Sequence, residues 1–375
     1  MTLPYGRQSI DQSDVEAVAA ALTSDWLTTG PRVADFEADI AAIAGAPAVT
    51  VTNGTTALHT AYAAAGVGPG DEVVTTPMTF VATASTAMLH GATILFADVE
   101  DDTANIDPAS VETLVSEKTR AIGAVDYAGH PADYDALRKI AERVDAVVIG
   151  DAAHAIGSTF HGRPVGTLAD LTTFSFFPTK NLTTAEGGAV ASTRPDLLDR
   201  ARTFRNIGMV RDRDQLRHPD EGGWYYEVQG FGLNYRLPDV LCALGSSQLR
   251  RLSAFKGRRQ QLTARYDRLL ADVPGLRLPV QRDGVDPMRH LYPVRVLDGR
   301  RREVYDRLRA EGILVQVNYI PVYWHPMFED LGYRRGMCPV AEAFYAEELS
   351  LPLFYDLTDT DQDRVVEALR NILGG

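Results

Sequence analysis

The chain has few cysteines, few lysines and no long apolar run. Its two cysteines, Cys242 and Cys338, lie far apart without a Cys-x-x-Cys pair, which argues against a disulfide framework and a structural zinc site. No apolar run reaches about 18 residues, and the N-terminal stretch lacks the basic and apolar regions of a signal peptide. We therefore expect a soluble cytoplasmic protein that binds neither a metal nor a membrane.

Positive charge is also scarce. The chain has 37 Lys and Arg against 50 Asp and Glu, a net charge of −13. A nucleic-acid partner requires a concentrated basic surface, so this composition argues against one. An anionic small molecule stays compatible with it, because a local group of arginines is enough to bind one.

Only four of the 37 basic residues are lysines, and one of the four has unusual surroundings. Lys180 ends the aromatic, strand-like run that starts at Phe174. An amine held against apolar surface loses hydration of its charged form, so its pKa falls and more of it is a free nucleophile. The alternative is a strand-end lysine with its amine in water, which is the commoner situation for a lone lysine.

Strand-like and helical segments alternate along the first half of the chain. The strand-like runs are at 48–52, 72–76, 93–97, 121–125, 146–150, 171–176 and 188–191. This alternation predicts an α/β fold with a mostly parallel central sheet, which binds ligands beyond the carboxyl ends of its strands. A helical stretch at 238–271 is followed by a strand (290–297), a helix (301–311), a strand (314–320) and helices near 339–348 and 359–372. We predict a large domain over 1–250, including an N-terminal helical segment, and a smaller α+β domain over 251–375.

Two strand ends carry residues suited to ligand binding. The run from Asn53 to Thr56 joins a strand to a helix start, where backbone N–H groups and hydroxyls suit a phosphate, although an ordinary capped helix has the same pattern. Asp151 ends a buried strand and needs a cation or hydrogen-bond donors. A protonated pyridine nitrogen would serve, and so would the start of the next helix. His154 fits either a cofactor contact or a satisfied core histidine.

One cofactor accounts for four separate features. These are the phosphate cup at 54–56, the acid Asp151, the amine Lys180 and the aromatic Phe80, which can stack on a ring. Pyridoxal phosphate has a phosphate, a ring nitrogen, a carbonyl carbon and a flat face. We therefore predict a pyridoxal 5′-phosphate enzyme.

Several motifs, in order and spacing, resemble those of the DegT/StrS family of pyridoxal-phosphate-dependent nucleotide-sugar aminotransferases over nearly the whole chain. They are Thr75 to Phe80, Asp151 to His154, Ser175 to Leu182, Glu186 to Gly188 and Gly232 to Arg236. The resemblance implies the type I fold of pyridoxal-phosphate-dependent transferases, with a mostly parallel central sheet in the large domain and a smaller C-terminal α+β domain. A related dehydratase branch has histidine in place of Lys180, so transamination is the better interpretation.

The resemblance also implies roles for individual residues. Lys180 is the lysine that attaches the cofactor, and Asp151 pairs with the pyridine nitrogen. The other implied cofactor-binding residues are Thr55, Thr56 and Ser175 at the phosphate, Phe80 on the ring face, His154 near the ring hydroxyl, and Asn234 at the phosphate of the neighbouring subunit. A homodimer with shared active sites follows from the last of these.

A closer resemblance within the family is to transaminases of pseudaminic acid biosynthesis. It lies in residues 4–10, 24–31, 224–229 and 315–321. These enzymes act on UDP-2-acetamido-2,6-dideoxy-beta-L-arabino-hex-4-ulose with L-glutamate as amino donor. The implied substrate-binding residues are Tyr5, Asp25, Trp26, Leu27, Thr28, Gln316, Val317, Asn318 and Tyr319. Asn318 stands where the family commonly has histidine; both can donate a hydrogen bond, but only histidine can carry charge.

Two alternatives stay open at the level of the sequence. Another dTDP-, UDP- or GDP-linked keto sugar could be the substrate, because the residues that set specificity cannot be placed in space. A cofactor-binding regulator could keep the fold without catalysis. The lysine, the acid and the phosphate-binding residues are all present, which argues against a regulator.

Overall fold

The computed structural model describes residues 2–374. Its helices are α1 (Gln12–Leu22), α2 (Pro31–Ala44), α3 (Gly54–Ala64), α4 (Ala82–Leu89), α5 (Pro108–Leu114), α6 (Tyr134–Arg143), α7 (Pro195–Arg205), α8 (Asp239–Leu249), α9 (Leu252–Leu270), α10 (Arg301–Ala310), α11 (Pro326–Asp330), α12 (Pro339–Glu347) and α13 (Asp359–Leu373). Among these helices, none is both long enough and apolar enough to cross a membrane.

Short strands lie between the helices. They are β1 (Ala48–Val51), β2 (Glu72–Thr75), β3 (Thr93–Phe96), β4 (Thr119–Val125), β5 (Val147–Asp151), β6 (Thr159–Phe160), β7 (Arg163–Pro164), β8 (Leu171–Ser175), β9 (Gly188–Ala191), β10 (Met209–Val210), β11 (Glu227–Val228), β12 (Leu276–Arg277), β13 (Val285–Asp286), β14 (Tyr292–Val296) and β15 (Glu348–Leu351). Each run predicted from the first half of the sequence overlaps a strand of the central sheet.

The central sheet is mostly parallel, as predicted. Within residues 2–374 it has seven strands in the order β1-β9-β8-β5-β4-β2-β3, and β9 alone runs opposite to the other six. The carboxyl ends of β1, β2, β4, β5 and β8 therefore meet at one edge of the sheet. Loops at such an edge are where open α/β folds place their ligands.

Alternate residues of the strands pack into two separate apolar layers. Val74 and Val148 belong to a cluster with helices α2 and α6, whereas Val73 and Ile149 belong to a cluster with α3 and α4. Both faces of the sheet are covered, which explains why its strands are continuous apolar runs. A third cluster joins α9, α10 and α13 to the three-stranded sheet β12-β14-β15. The division into domains at 250/251 stays a prediction.

Two details differ from the prediction. The helical stretch at 238–271 is two helices, because α8 ends at Leu249 and α9 begins at Leu252. The prediction of a strand at 314–320 was wrong. Residues 313–316 make only isolated bridges, between Ile313 and Leu3 and between Gln316 and Ser350. The backbone N–H of Asn318 then bonds a side chain instead of a neighbouring strand, so no ladder continues.

Candidate active site

A cavity of about 460 Å³ lies at the carboxyl edge of the central sheet. It is lined by Asn53, Gly54, Thr55, Leu58, Thr79, Phe80, Ala82, Val125, Asp151, Ala153, His154, Thr173, Phe174, Ser175, Phe177, Thr179, Lys180, Glu186 and Tyr319. Most of these residues lie in or just after the five strands that end there. The topology of the sheet, rather than proximity in sequence, therefore brings them together.

The turn from β1 into α3 forms one end of the cavity. Asn53 caps α3, because its side chain accepts from the backbone N–H of Thr56 (2.9 Å) while the Thr56 hydroxyl bonds the backbone of Asn53. The first N–H groups of the helix are left for a ligand, and the helix dipole favours an anion there. A Cβ at Gly54 would lie 2.8 Å from Cβ of Ser175, so only glycine permits this close approach. The capped-helix and phosphate-cup interpretations are thus both compatible with the geometry.

Asp151 is buried at the end of β5, 6% exposed. Its Oδ2 accepts from the Thr83 hydroxyl (2.7 Å), and its Oδ1 accepts from the backbone N–H of Ala153 (3.2 Å). Burial raises the pKa of Asp151, while the two hydrogen bonds and nearby Lys180 act in the opposite direction. A carboxylate in these surroundings is stabilised by a cation placed in the cavity.

Lys180 follows β8 and lines the same cavity. Its surroundings are mostly protein, and loss of hydration lowers its pKa from 10.5 to about 8, although the Asp151 charge raises it in part. A larger share of this lysine is therefore a neutral nucleophile near neutral pH than of an ordinary surface lysine. The next residue, Asn181, is buried and donates to the His154 carbonyl (2.8 Å), which ties the lysine loop to the segment after β5.

His154 lies between two aromatic side chains. Its Nε2 is 3.0 Å from the Tyr319 hydroxyl, and its ring lies 4.3 Å from the ring of His290. Burial, with Lys180 nearby, lowers the pKa of His154 well below its ordinary value, so the ring is neutral. Its Nδ1 is buried and has no hydrogen-bond partner among the described residues.

Several predicted residues do lie together, and several do not. Thr55, Phe80, Asp151, His154, Ser175, Lys180 and Tyr319 line the cavity. Within residues 2–374, Thr56, Asn234, Tyr5, Asp25, Trp26, Leu27, Thr28, Gln316, Val317 and Asn318 are not part of its lining. The side-chain amide of Asn318 donates instead to the hydroxyls of Tyr5 (2.8 Å) and Ser350 (3.2 Å).

Sequence reasoning missed the residues that support the site from a distance. Thr83 reaches Asp151 from α4, and Asn181 is buried beside Lys180. Glu186 lies on the cavity wall within a motif that the sequence singled out, but its acidic side chain had been given no role. The position of Asn181 directly after Lys180 was the one available signal.

The residues present fit pyridoxal phosphate. The glycine-lined helix N-terminus at Gly54 suits its phosphate, buried Asp151 suits its ring nitrogen, and Lys180 suits its aldehyde carbon. The ring of His154 lines the same cavity as Asp151 and Lys180. The fold and this arrangement together define a pyridoxal-phosphate-dependent enzyme of the aminotransferase type.

The chain belongs to the DegT/DnrJ/EryC1/StrS aminotransferase family, whose sequence pattern matches residues 8–370. It is 39% identical to the spore coat polysaccharide biosynthesis protein SpsC of Bacillus subtilis (strain 168), over 100% of this chain and 97% of SpsC. It is 36% identical to the UDP-4-amino-4,6-dideoxy-N-acetyl-beta-L-altrosamine transaminase of Campylobacter jejuni (strain 81-176), over 99% and 97% of the two chains. The solved PLP form of Spr1654 from Streptococcus pneumoniae superposes with a TM-score of 0.93 at 29% identity, over 100% and 99%. The protein is thus a sugar aminotransferase that uses pyridoxal phosphate, a nucleotide sugar and an amino donor.

Proposed function

We propose that the protein transfers the amino group of L-glutamate to the C4 ketone of UDP-2-acetamido-2,6-dideoxy-beta-L-arabino-hex-4-ulose. The product is UDP-4-amino-4,6-dideoxy-N-acetyl-beta-L-altrosamine, an intermediate of pseudaminic acid biosynthesis. The observation that carries the aminotransferase chemistry is the placement of Lys180 and buried Asp151 on one cavity. The 36% identity to a transaminase named for this product supports the choice of sugar.

Each residue of the cavity has its own proposed role in the reaction. When bound, pyridoxal phosphate supplies an electron sink for the carbon next to the amine. Asp151 would hold the proton on the ring nitrogen by its negative charge. Lys180 would attach the cofactor, and its Nζ would move the proton between the reacting carbons. Thr55 and Ser175 would hold the phosphate, Phe80 would cover the ring, and His154 would lie near the ring hydroxyl.

The sugar nucleotide is proposed to lie across the cavity mouth. Phe80 and Phe177 are 60% and 45% exposed there. The segment Asp25 to Thr28 is exposed as well and offers polar groups and the Trp26 ring for a nucleotide. Asn318 contributes through the residues that it holds in place, since its amide is already bonded to Tyr5 and Ser350.

A homodimer with shared active sites is part of the proposal. Among the cavity-lining residues that the structure describes, Lys180 is the only Lys or Arg. Yet the cofactor phosphate, the sugar diphosphate and the two carboxylates of glutamate are all anionic. The segment before Asn234 carries arginines and exposed apolar side chains, including Trp224 (80% exposed) and Phe231 (100% exposed). Docking of this segment on a second subunit would bury the apolar groups and complete the anion site with Asn234.

A second sugar is favoured by one specific observation. The chain is 39% identical to SpsC, a protein of spore coat polysaccharide biosynthesis. A nucleotide-linked keto sugar destined for another polysaccharide, with a dTDP, UDP or GDP carrier, is therefore the second candidate.

A panel of keto sugars tests the assignment. Purified protein is incubated with pyridoxal phosphate, L-glutamate and UDP-, dTDP- or GDP-linked 4-keto sugars, and the products are separated by chromatography with mass detection. We expect the UDP-linked arabino-hex-4-ulose to give the highest kcat/KM, with one 2-oxoglutarate formed per amino sugar. Lys180→Ala is the matched control and should give no product. A higher kcat/KM for another sugar would replace the proposed substrate.

A further inference from the structure

A buried carboxyl group lies behind the cavity and bonds the segment that carries Tyr319. Glu348, on β15, is 0% exposed. Its Oε2 accepts from the backbone N–H of Asn318 (2.7 Å), and its Oε1 accepts from the Ser350 hydroxyl (2.5 Å). Burial raises the pKa of Glu348 to about 8, offset in part by these two bonds and by Arg301. The side-chain oxygen of a glutamine at this position can still accept from the backbone N–H of Asn318, so glutamine is its close mimic for that bond.

Asn318 forms hydrogen bonds through its backbone N–H, its backbone carbonyl and its side-chain amide. Glu348 bonds its backbone N–H, the Tyr127 hydroxyl donates to its carbonyl oxygen (2.5 Å), and its side-chain amide bonds Tyr5 and Ser350. The network fixes the backbone from which the following residue, Tyr319, extends. This segment lacks a strand ladder, so side chains supply the hydrogen-bond partners that its backbone would find on neighbouring strands in a sheet.

Tyr319 is the point at which this network reaches the cavity. Its side chain lines the cavity, and its hydroxyl lies 3.0 Å from Nε2 of His154. The rings of the two residues are nearly parallel, 18° apart. The Tyr319 hydroxyl can donate to Nε2 or accept from it, so this contact holds the position and orientation of the His154 ring.

We propose that Glu348 is a positioning residue of the active site, which holds Tyr319 against His154 through Asn318. This inference rests on the proposed role of His154 beside the cofactor. Glu348 itself touches no reacting group. Its effect is on the position and orientation of the His154 ring, and through them on the surroundings of the bound cofactor.

The test compares single and double variants by the absorbance of bound pyridoxal phosphate as a function of pH. Glu348→Val and Tyr319→Phe should shift the midpoint of this titration in the same direction. Each should also slow the absorbance change that follows addition of L-glutamate, by about tenfold, the equivalent of one lost hydrogen bond. If Glu348 acts through Tyr319, the double variant shifts no further than the larger single variant.

Three matched variants sharpen the result. Glu348→Gln should keep the titration midpoint of the wild-type protein. Ser350→Ala, a milder change in the same network, should shift the titration in the same direction even if Glu348→Val fails to fold. Glu342→Gln is the control, because Glu342 accepts from Tyr323, Trp324 and Gly336 in the same region without contacting Asn318. It should leave the titration unchanged.

Additive effects in the double variant, or an unchanged titration in folded Glu348→Val or Ser350→Ala, would overturn the inference. The titration needs neither a sugar nor glutamate. A failed sugar panel together with the expected shifts would therefore reject the proposed substrate and keep the positioning role. If the sugar panel succeeds but the expected shifts are absent, the positioning role is rejected and the proposed substrate is kept.

Discussion

At the scale of the residue, the chemistry depends on how far burial changes the charge of Lys180. Loss of hydration lowers its pKa, and the Asp151 carboxylate raises it, with the balance at about 8. Between pH 8 and 10.5 folded Lys180 binds fewer protons than the unfolded chain. Its contribution to stability therefore rises with pH across that window. The same balance makes Lys180 a nucleophile near the pH at which cells work.

The pH dependence of cofactor loading measures this pKa. Protein freed of its cofactor should take up pyridoxal phosphate covalently at a rate that rises with pH and reaches half its maximum near pH 8, because the neutral amine is the reactive form. Stopped-flow absorbance reports the rate, and Lys180→Ala should show no covalent phase. Asp151→Asn should move the midpoint to lower pH, since the carboxylate favours the charged lysine. A midpoint near 10.5 would contradict the proposed environment.

Asp151→Asn separates binding of the cofactor from its activation. The amide keeps the size of the side chain and can still accept from Thr83, but it removes the charge that we propose holds a proton on the ring nitrogen. We expect the variant to bind pyridoxal phosphate and to lose about 10²-fold in kcat, the usual cost of removing one preorganised electrostatic contact. Spectroscopic titration and steady-state assays measure the two quantities. A kcat within a few-fold of wild type would mean that another group supports the ring.

Residues that lie in motifs could be predicted from the sequence, whereas the residues that support them could not. Lys180 and Asp151 were predicted because each is a polar group at the end of an apolar strand, which is unusual in itself. Thr83 and Glu348 carry no such signal, because their importance comes from contacts 68 and 30 positions away along the chain. Asn318 and Tyr319 were predicted to bind substrate. The structure instead bonds Asn318 to Tyr5 and Ser350 and brings Tyr319 beside His154, while their roles with substrate stay a prediction.

At the scale of the element, the strands of the central sheet were predictable because both faces of the sheet are buried. A strand covered on both sides is a short apolar run regardless of its neighbours. The segment at 314–320 is also rich in apolar residues but pairs at single positions only, and the backbone N–H of Asn318 bonds a side chain. Composition cannot distinguish these two cases, because the difference depends on which segments lie alongside.

Helix α8 supports the start of α2 through one buried side chain, which allows a test of stability. Asp239 accepts from the backbone N–H groups of Gly30 (2.8 Å) and Arg32 (3.1 Å), and its own N–H donates to the Leu27 carbonyl (3.0 Å). Asp239→Ala leaves both N–H groups without their partner. We expect the free energy of unfolding to fall by about 1–3 kcal/mol, measured in urea.

The same variant should affect the proposed sugar site. Asp239 holds the turn that carries Asp25 to Thr28, so Asp239→Ala should raise KM for the sugar nucleotide more than KM for glutamate. Asp272→Asn is the control, because Asp272 is exposed and, among the residues that the structure describes, pairs only with Arg370 at the surface. Its removal should change stability by less than about 1 kcal/mol. Equal effects of the two variants would show that the contact of Asp239 with α2 has no special role.

At the scale of the whole molecule, the cavity of one chain lacks the positive charge that its proposed ligands require. Among its described lining residues Lys180 alone is basic, and that lysine is reserved for the reaction. Asn234 lies outside the cavity lining, in an exposed part of the chain whose backbone pairs with Asn206. Both facts are consistent with sites completed by a second subunit. The sequence alone could not reveal the shortage, since it does not show which of the 33 arginines approach the cavity.

Subunit complementation tests the shared site. Lys180→Ala removes the lysine of one chain, and Asn234→Ala weakens the phosphate contact that the same chain is proposed to give to its partner. After the two variants are mixed, unfolded and refolded together, half of the dimers should be mixed, and each mixed dimer holds one intact site. Activity should then equal about a quarter of wild type plus a quarter of the activity of Asn234→Ala alone, which exceeds the average of the two separate variants. If each chain forms its whole site, the mixture will show only the average of the two separate variants, and the proposal of shared sites will be wrong.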